Sequence, residues 1–143
     1  DDSIVYTLHG DGELQEGQVW EAFMYASGKQ VDNLIATIDY NQKQIDGTID
    51  EVLPIGNLTA KLEAFDWVVL EELEGNNVEA IINTLNRAKE LTGKKKPVAI
   101  ILHTEMGNGV DYMMGTHKWH GSAPNDEQLS KALSQNTETL GDY

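Results

Sequence analysis

Short apolar segments alternate along the chain with segments of helical periodicity. The apolar segments are rich in valine and isoleucine, and three of them are nearly continuous, which indicates strands buried on both faces of a parallel sheet. The four predicted strands are Ile4–Leu8, Leu34–Asp39, Trp67–Leu73 and Val98–Thr104. Apolar residues at helical spacing predict four helices, at Gln18–Lys29, Thr59–Phe65, Val78–Leu91 and Asn125–Leu133.

The order of these elements favours an α/β domain. Strand and helix alternate three times and the series ends on a strand, which is typical of helices packed on a parallel sheet. Gly93 closes the third predicted helix, and Asn125 with Gln128 forms a capping pattern for the fourth. The first strand reads as buried although no element precedes it, and there is no initiator methionine, so we expect a fragment or a processed form.

Two long segments fit neither pattern. Gln42–Asn57 and Glu105–Ser122 both contain glycine and are expected to lack regular structure. Long loops of this kind in a compact domain are often functional. Both segments follow predicted strands, so both should lie at the carboxyl edge of the sheet, where α/β proteins bind their ligands.

Composition agrees with a single globular domain. The chain has 143 residues, of which 40% are hydrophobic and 24% charged. Its longest apolar runs, such as Val98–Leu102, are far too short to cross a bilayer, and no secretory leader is recognisable. Cysteine is absent, which excludes disulfides and thiolate metal sites. These features are compatible with the cytoplasm, where we expect the protein to be.

The acidic balance argues against nucleic-acid binding and directs attention to metal ligands. The formal net charge is -14, from 24 acidic and 10 basic residues. Binding to nucleic acid requires a basic surface that neutralises phosphates. An acidic domain that binds a phosphorylated ligand needs a metal ion, or backbone N–H groups aimed at the ligand, to offset the repulsion.

The segment Gly10-Asp11-Gly12 is the first candidate for such a site. It follows the first predicted strand directly and precedes a helix. Glycines there allow the backbone to turn sharply and approach a ligand, and Asp11 adds a hard oxygen ligand. Taken alone, the tripeptide favours a tight turn in which Asp11 acts as a cap, because so short a motif is common.

The second candidate is Asp39-Tyr40-Asn41, at the end of the second predicted strand. Carboxylate and amide oxygens at the ends of adjacent strands can converge on one cation, and this donor set suits octahedral Mg²⁺. Taken alone, Asn41 can also be read as the start of a turn. Asn41 stands 30 positions after Asp11, with one helix and one strand between them.

This combination resembles the thiamine-diphosphate motif, which begins with GDG and ends in Asn at about this spacing. The segment GDGELQEGQVWEA, residues 10–22, is similar to the version found in the transketolase family. Further segments fit the same family and extend the resemblance over nearly the whole chain: Asp32–Ile35, Asp39–Asn41, Gln44–Gly47 and Trp119–Asp126.

The resemblance implies a fold and a division of the chain. The expected fold is the three-layer thiamine-diphosphate-binding fold, a mainly parallel sheet with helices on both faces, here incomplete. Residues 1–135 would be the C-terminal part of the phosphate-side binding domain, and residues 136–143 a polar tail.

The resemblance also implies roles by position. Side chains of Asp11 and Asn41 and the carbonyl of Lys43 would hold Mg²⁺, for which Ca²⁺ is a possible substitute. The diphosphate would lie against Gly10, Gly12 and Glu13, and Ile45 would pack near the thiazolium ring.

Four more residues gain roles from the resemblance. Glu16 and Glu21 read as exposed helix carboxylates on composition alone, but matching glutamates in transketolases lie near the subunit interface. His117 and His120 lie in one long loop, and either could be the histidine that contacts cofactor phosphate or substrate and acts in catalysis.

The chain departs from many relatives in this loop. Met106 and Asn108 stand where basic residues are frequent, so contacts made by those charges are in doubt. His103 is interpreted as structural, while His9 fits a structural or a functional role equally.

The activity implied is transfer of a two-carbon ketol unit from a ketose phosphate to an aldose phosphate, with thiamine diphosphate and Mg²⁺. In the family, the glutamate that activates the cofactor comes from a pyrimidine-binding domain, usually of a partner subunit. No such domain fits in this chain, so we expect it to be inactive alone and to act as part of a homo- or hetero-oligomer. It would then be a fragment of a transketolase, either of a single long chain or of one divided between two subunits. Nucleic-acid and membrane partners are not expected.

Alternative interpretations are another thiamine-diphosphate enzyme, of the deoxyxylulose-phosphate synthase or 2-oxoacid dehydrogenase type, and a non-catalytic subunit that keeps the fold. A nicotinamide dehydrogenase is a more distant alternative, because the glycine fingerprint of dinucleotide-binding folds is missing.

Overall fold

The computed structural model describes residues 3–136. Its main elements, in chain order, are β1 (Val5–Gly10), α1 (Gly17–Gly28), β2 (Leu34–Tyr40), β3 (Lys43–Gln44), β4 (Gly47–Thr48), α2 (Ile49–Val52), α3 (Leu58–Ala64), β5 (Val68–Glu72), α4 (Val78–Leu91), β6 (Val98–His103) and α5 (Asp126–Gln135). A short 3₁₀ turn, Glu13–Gln15, joins β1 to α1.

Four strands form one parallel sheet in the order β1-β2-β6-β5. The register places Gly10 beside Asp39 and Tyr40 beside His103. The carboxyl ends of β1, β2 and β6 are therefore level, and the loops that follow them meet at one edge. The predicted parallel sheet is confirmed, with strand ends within two residues of expectation.

Helices cover both faces of the sheet, as expected. On one face, α1 and α3 pack on β2 and β6 in a core that includes Phe23, Ala36, Ile38, Leu62 and Ile101. On the other face, α4 packs on β5 and β6 around a smaller core formed by Ile35, Ala88, Val98, Ile100 and Leu102. No described helix, in residues 3–136, is long and apolar enough to cross a membrane.

The expectation that the first strand is buried is wrong. β1 lies at the edge of the sheet, and Val5, Tyr6 and Leu8 are 50%, 48% and 73% exposed. The register puts Tyr6 and Leu8 on the face that α4 covers, but α4 contacts the far strands, β5 and β6. An apolar run cannot distinguish a central strand from an edge strand, because both carry the same residues.

The segment Gln42–Asn57 is more ordered than expected. It contains the antiparallel pair β3–β4 and the single-turn helix α2. Thr48 caps this helix, accepting from the Glu51 N–H while the Glu51 carboxylate accepts from the Thr48 N–H. Strands of two residues have no periodicity, so the sequence pattern gave no sign of them.

Other local predictions are confirmed. Asn125 and Gln128 form the predicted capping box of α5, and Gly93 follows α4 with a φ of 74°. Glu105–Ser122 has no helix or strand, as expected. The predicted tail, residues 136–143, lies outside the described residues apart from Asn136.

Candidate functional site

A cleft of about 430 Å³ opens where β1 and β2 end. It brings together eight of the residues singled out in the sequence: Gly10, Asp11, Gly12, Glu13, Asn41, Lys43, Ile45 and His120. Asp39, Gln44 and Asp46 also line it. The two motifs, 30 positions apart in sequence, therefore share one cavity.

Asp11 is the most buried residue of the cleft, with 1% of its surface exposed. One carboxylate oxygen accepts from the Gly12 N–H at 2.8 Å, and the other accepts from the Gln42 N–H. Burial raises the pKa of Asp11, and the negative charge of Asp39 acts in the same direction, while the backbone hydrogen bonds lower it. The carboxylate is thus held in place while part of its charge remains uncompensated by the protein.

Gln42 reaches Asp11 through an unusual backbone conformation. Its φ is 60°, in the left-handed region that side-chain-bearing residues seldom occupy. Its carbonyl accepts from the Ile49 N–H at 3.1 Å, which ties this turn to α2. The chain turns sharply at Gln42 after leaving β2. The residues on either side of this turn, Asn41 and Lys43, both line the cleft.

The Asn41 side chain is oriented by the same turn. Its Oδ1 accepts from the Lys43 N–H at 2.9 Å, and its Nδ2 lies 3.4 Å from a carboxylate oxygen of Asp39. That oxygen of Asp39 also accepts from the Thr104 hydroxyl. The end of β6 therefore helps to fix the polar groups at the end of β2.

Glycine at position 12 leaves little space on its cleft side. A Cβ there would lie 3.3 Å from the Gln44 Cβ, a tight contact. The Gly10 N–H donates to a Glu13 carboxylate oxygen at 3.3 Å, and the other Glu13 oxygen lies 3.6 Å from His9 Nδ1. The turn between β1 and the 3₁₀ helix is consequently closed on itself by Glu13.

The donor set suits a hard divalent cation that is completed by an anionic ligand. Asp11 could offer carboxylate oxygen, Asn41 amide oxygen and Lys43 a main-chain carbonyl, all of the type that Mg²⁺ prefers. Within residues 3–136, no cluster of three His, Cys, Asp or Glu side chains could hold a metal by itself. Phosphate oxygens of a ligand are of the type that could complete the coordination of a cation held by these groups.

The two loop histidines are placed differently. His120 lines the cleft, whereas His117 lies close enough to Glu51 to influence its carboxylate. A turn joins them, since the His120 N–H donates to the His117 carbonyl at 3.0 Å. Of the two, His120 is thus the one presented to the predicted metal and diphosphate groups.

The other predicted site residues lie on the surface. Glu16 and Glu21 are exposed at the start of α1, and their interface role stays a prediction. Ile45 is 68% exposed at the mouth of the cleft and offers an apolar surface to a ligand.

Sequence reasoning missed several groups that shape the cleft. The Gln42 main chain orients Asp11, Gln44 packs against Gly12, and Glu105 pairs with Lys43 at 3.3 Å. The first is invisible in a sequence because a backbone N–H has no residue signature. Glu105 carried a usable signal, since it is an acidic residue at the start of a loop already marked as functional.

His103 lies outside this cleft, in a polar cluster at the ends of β5 and β6. Its Nε2 is 3.0 Å from a Glu71 oxygen, and its ring packs edge-on against Tyr40. The Thr59 hydroxyl donates to the other Glu71 oxygen. These contacts lower the pKa of Glu71, with the Thr59 hydrogen bond as the largest cause and His103 as the next.

Comparison with known families identifies the domain. Residues 1–138 match the family described as transketolase, thiamine diphosphate binding domain. The chain belongs to the transketolase family. An apulose-4-phosphate transketolase subunit of Phocaeicola vulgatus is 42% identical over 139 residues, covering 97% of this chain and 48% of the relative. A 6-deoxy-6-sulfo-D-fructose transketolase subunit of a Clostridium species is 39% identical over 133 residues, 93% of this chain and 47% of that protein.

Solved structures agree on the fold. Transketolase from Campylobacter jejuni superposes with a TM-score of 0.83 at 34% identity, covering 93% of this chain and 20% of that one. Transketolase from Leishmania mexicana gives the same TM-score at 30% identity over 92% of this chain and 19% of its own. The chain thus spans about half the length of these curated relatives and about a fifth of the solved transketolases.

Proposed function

We propose that this chain forms the thiamine-diphosphate and Mg²⁺ anchor of a transketolase. The observation that carries the proposal is the link between the two motifs. The Gln42 N–H, next to Asn41, donates to the buried Asp11 carboxylate, so both predicted metal ligands belong to one hydrogen-bonded unit in an open cleft.

The proposed metal ligands are the side chains of Asp11 and Asn41 and the carbonyl of Lys43. A bound diphosphate would supply further oxygen ligands, and Ca²⁺ could replace Mg²⁺. The metal would offset the negative charge that Asp11 and Asp39 share and that a diphosphate would increase. This accounts for the binding of an anionic cofactor by a chain whose net charge is -14.

The remaining cleft residues would orient the cofactor. Gly10 and Gly12 allow the diphosphate to approach the main chain, and Glu13 would lie beside it. Ile45, exposed at the mouth, would cover the thiazolium ring and keep water away from it. His120 would donate to a phosphate or move a proton near the substrate, and His117, beside Glu51, would support the loop.

When bound, thiamine diphosphate would supply the carbon nucleophile that takes a two-carbon ketol unit from a ketose and passes it to an aldehyde. One relative is named for a phosphorylated sugar and the other for a sulfonated sugar. We accordingly expect donors and acceptors with an anionic group at the end remote from the carbonyl.

A further part of the enzyme must complete the site. The two relatives are named as subunits, and this chain spans 48% and 47% of them. We propose that residues 1–135 belong to the phosphate-side domain and that a pyrimidine-binding domain, on a partner subunit, supplies the activating glutamate. The 143-residue chain by itself should then show no ketol transfer.

The test is cofactor-dependent transfer by the complete enzyme, assembled with its pyrimidine-binding part. Ketol transfer between sugar phosphates should require thiamine diphosphate, disappear when EDTA removes the metal, and return with Mg²⁺ or Ca²⁺. A complete enzyme that binds no thiamine diphosphate would favour a non-catalytic subunit. Transfer by the isolated 143-residue chain would refute the proposed division of the site.

A further inference from the structure

Lys43 and Glu105 form a contact that joins the two segments carrying the candidate site. Lys43 belongs to the turn that holds Asn41, and Glu105 opens the loop that carries His117 and His120. The Lys43 ammonium lies 3.3 Å from a Glu105 carboxylate oxygen, although the two residues are 62 positions apart.

The same Glu105 oxygen accepts a second hydrogen bond. The Gly115 N–H donates to it at 2.8 Å, which closes the loop on itself across 10 residues. On the other side, the Glu105 N–H donates to the Asn76 side chain at 2.7 Å. Glu105 is therefore tied to three separate parts of the chain, and the carboxylate bridges two of them.

Burial makes this contact important for Lys43. The Lys43 side chain is 15% exposed, and a nearly buried ammonium is costly unless a negative group faces it. The Glu105 carboxylate is that partner, and the Gly115 N–H, which donates to the same oxygen, holds it in place. At the same time the Lys43 N–H orients the Asn41 side chain.

Part of the support of this loop comes from within it, since the Trp119 indole N–H donates to the Tyr112 carbonyl at 2.9 Å. It contains no helix or strand from Thr104 to Asn125. Before Gly115 it is fixed to α5, where the Tyr112 hydroxyl donates to the Gln128 carbonyl at 2.8 Å and Lys131 pairs with Asp111. Its proximal side is fixed by Glu105, and His117 and His120 follow Gly115 by two and five positions.

We propose that Glu105 is a positioning residue that couples the histidine loop to the metal-binding turn. Its carboxylate fixes the histidine loop, residues 104–125, through Gly115 and fixes the Asn41–Lys43 turn through the Lys43 ammonium. His120 and the metal ligands are thereby held at a constant separation. The positioning role rests on the proposed function of the cleft, whereas the contacts of Glu105 with Lys43 and Gly115 are present in the structure itself.

Three variants separate the two halves of the bridge. Glu105→Ala removes both contacts, Glu105→Gln keeps an acceptor for Gly115 but loses the charge, and Lys43→Met removes the ammonium alone. Asp66→Asn is a matched control, because Asp66 pairs with Lys96 on the exposed surface before β5, away from the cleft. Asn also tolerates the φ of 68° at this position.

The first measurement reports on the loop without any cofactor. Lys118 is exposed between the two histidines, so trypsin cleavage after it measures how often the histidine loop opens. In the complete enzyme, Glu105→Ala should raise that cleavage rate about tenfold, which corresponds to about 1.4 kcal/mol, because both hydrogen bonds of the carboxylate are lost. Glu105→Gln and Lys43→Met should give smaller, similar increases, and Asp66→Asn none.

The second measurement distinguishes positioning from a merely structural role. Thiamine-diphosphate affinity in Mg²⁺ should fall about tenfold in Glu105→Ala, and the double variant Lys43→Met/Glu105→Gln should be no weaker than Lys43→Met alone, because the pair acts as a unit. Unchanged cleavage in Glu105→Ala would overturn the proposal, as would faster cleavage with unchanged cofactor affinity. If the wild-type enzyme binds no cofactor, the proposed function fails, while the cleavage rates still decide whether the bridge holds the loop.

Discussion

The Gln42 N–H donates to the carboxylate of Asp11, which stands 31 positions earlier in the chain. This bond crosses from the loop after β2 to the loop after β1. It gives Asp11 a fixed orientation and at the same time sets the direction in which Asn41 leaves its strand. The two predicted metal ligands are consequently not independent, and disturbing one should disturb the other.

Asp11→Asn should weaken cofactor binding and also lower stability, because the amide NH₂ would face the N–H of either Gly12 or Gln42. The amide keeps the size of the side chain but has one oxygen and no charge to offer a cation. In the complete enzyme, we expect the dissociation constant of thiamine diphosphate in Mg²⁺ to rise about 10- to 100-fold, because losing a charged contact costs about 1.5–3 kcal/mol. Isothermal titration calorimetry measures this directly, with Asp66→Asn as the control.

Thermal melting of both variants checks that each remains folded. Equal cofactor affinity in Asp11→Asn and the wild type would contradict the assignment of Asp11 as a metal ligand.

Gly75→Ala should destabilise the fold without touching the cleft. A Cβ at Gly75 would lie 2.6 Å from the His103 carbonyl oxygen, and the Gly75 N–H donates to that same oxygen at 3.0 Å. Relieving the clash requires a backbone shift, and we expect a loss of about 2 kcal/mol, or roughly 6 °C in melting temperature.

Gly28→Ala provides the comparison for that variant. Nothing lies within 4 Å of a Cβ at Gly28, which ends α1, so alanine should leave stability unchanged or raise it by about 0.5–1 kcal/mol. Scanning calorimetry of the three chains would record the difference. If Gly75→Ala melts at the same temperature as Gly28→Ala or higher, the backbone at the end of β6 can shift to accommodate the added Cβ at little cost.

Leu8→Lys should reduce self-association of the 143-residue chain. Leu8 is 73% exposed on the edge strand β1, beside Tyr6, and an exposed apolar edge favours pairing with another chain. A lysine there adds charge to the edge, whereas Leu133→Lys, on the similarly exposed surface of α5, should have little effect. Sedimentation velocity over a concentration series would compare them, and equal association of both variants would place the contact elsewhere.

Acid should weaken the fold partly through Glu71. The folded state lowers the Glu71 pKa below its ordinary 4.5, chiefly through Thr59 and then through His103. A carboxyl group whose pKa is lower in the folded state stabilises the fold while it is ionised. This stabilisation is fully present above the ordinary pKa and is lost as the pH falls through the pKa of the folded state. Glu71→Gln should therefore lower stability near neutral pH and flatten its decline in acid.

Urea unfolding across that pH range tests this, with Glu63→Gln on the adjacent helix α3 as the control. Parallel pH profiles for Glu71→Gln and the wild type would rule out this contribution from Glu71.

Glu16→Gln should alter assembly of the complete enzyme or its activation by cofactor. Glu16 is exposed where the 3₁₀ turn meets α1, close in sequence to the cleft residues and free to face a partner. We expect a dimer dissociation constant raised by about fivefold, the scale of one exposed charged contact worth about 1 kcal/mol, or a slower onset of activity after cofactor addition. Glu90→Gln on α4 should change neither, and identical behaviour of both variants would remove Glu16 from the interface.

The sequence was sufficient to predict which side chains come together at the ends of neighbouring strands. Asp11 and Asn41 could be placed together because each follows an apolar strand, and parallel neighbours end at one edge. The sequence did not predict features that depend on main-chain geometry or on the position of a strand in the sheet. The N–H of Gln42 depends on a positive φ, and the exposure of Leu8 depends on which strand lies at the edge.

The register of β1 on β2 has a consequence for how this motif can vary in length. Gly10 and Asp39 are partners in the sheet. The distance in space between the two motifs is therefore set by the pairing of β1 with β2, and not by the length of the chain that connects them. Residues added between α1 and β2, in segment 29–33, would lengthen the motif and leave the cleft intact. One residue added within β2 would turn its side chains to the opposite face and separate the ligands. The number of residues from Asp11 to Asn41 can thus differ among homologous proteins, provided that the register between the ends of β1 and β2 is conserved.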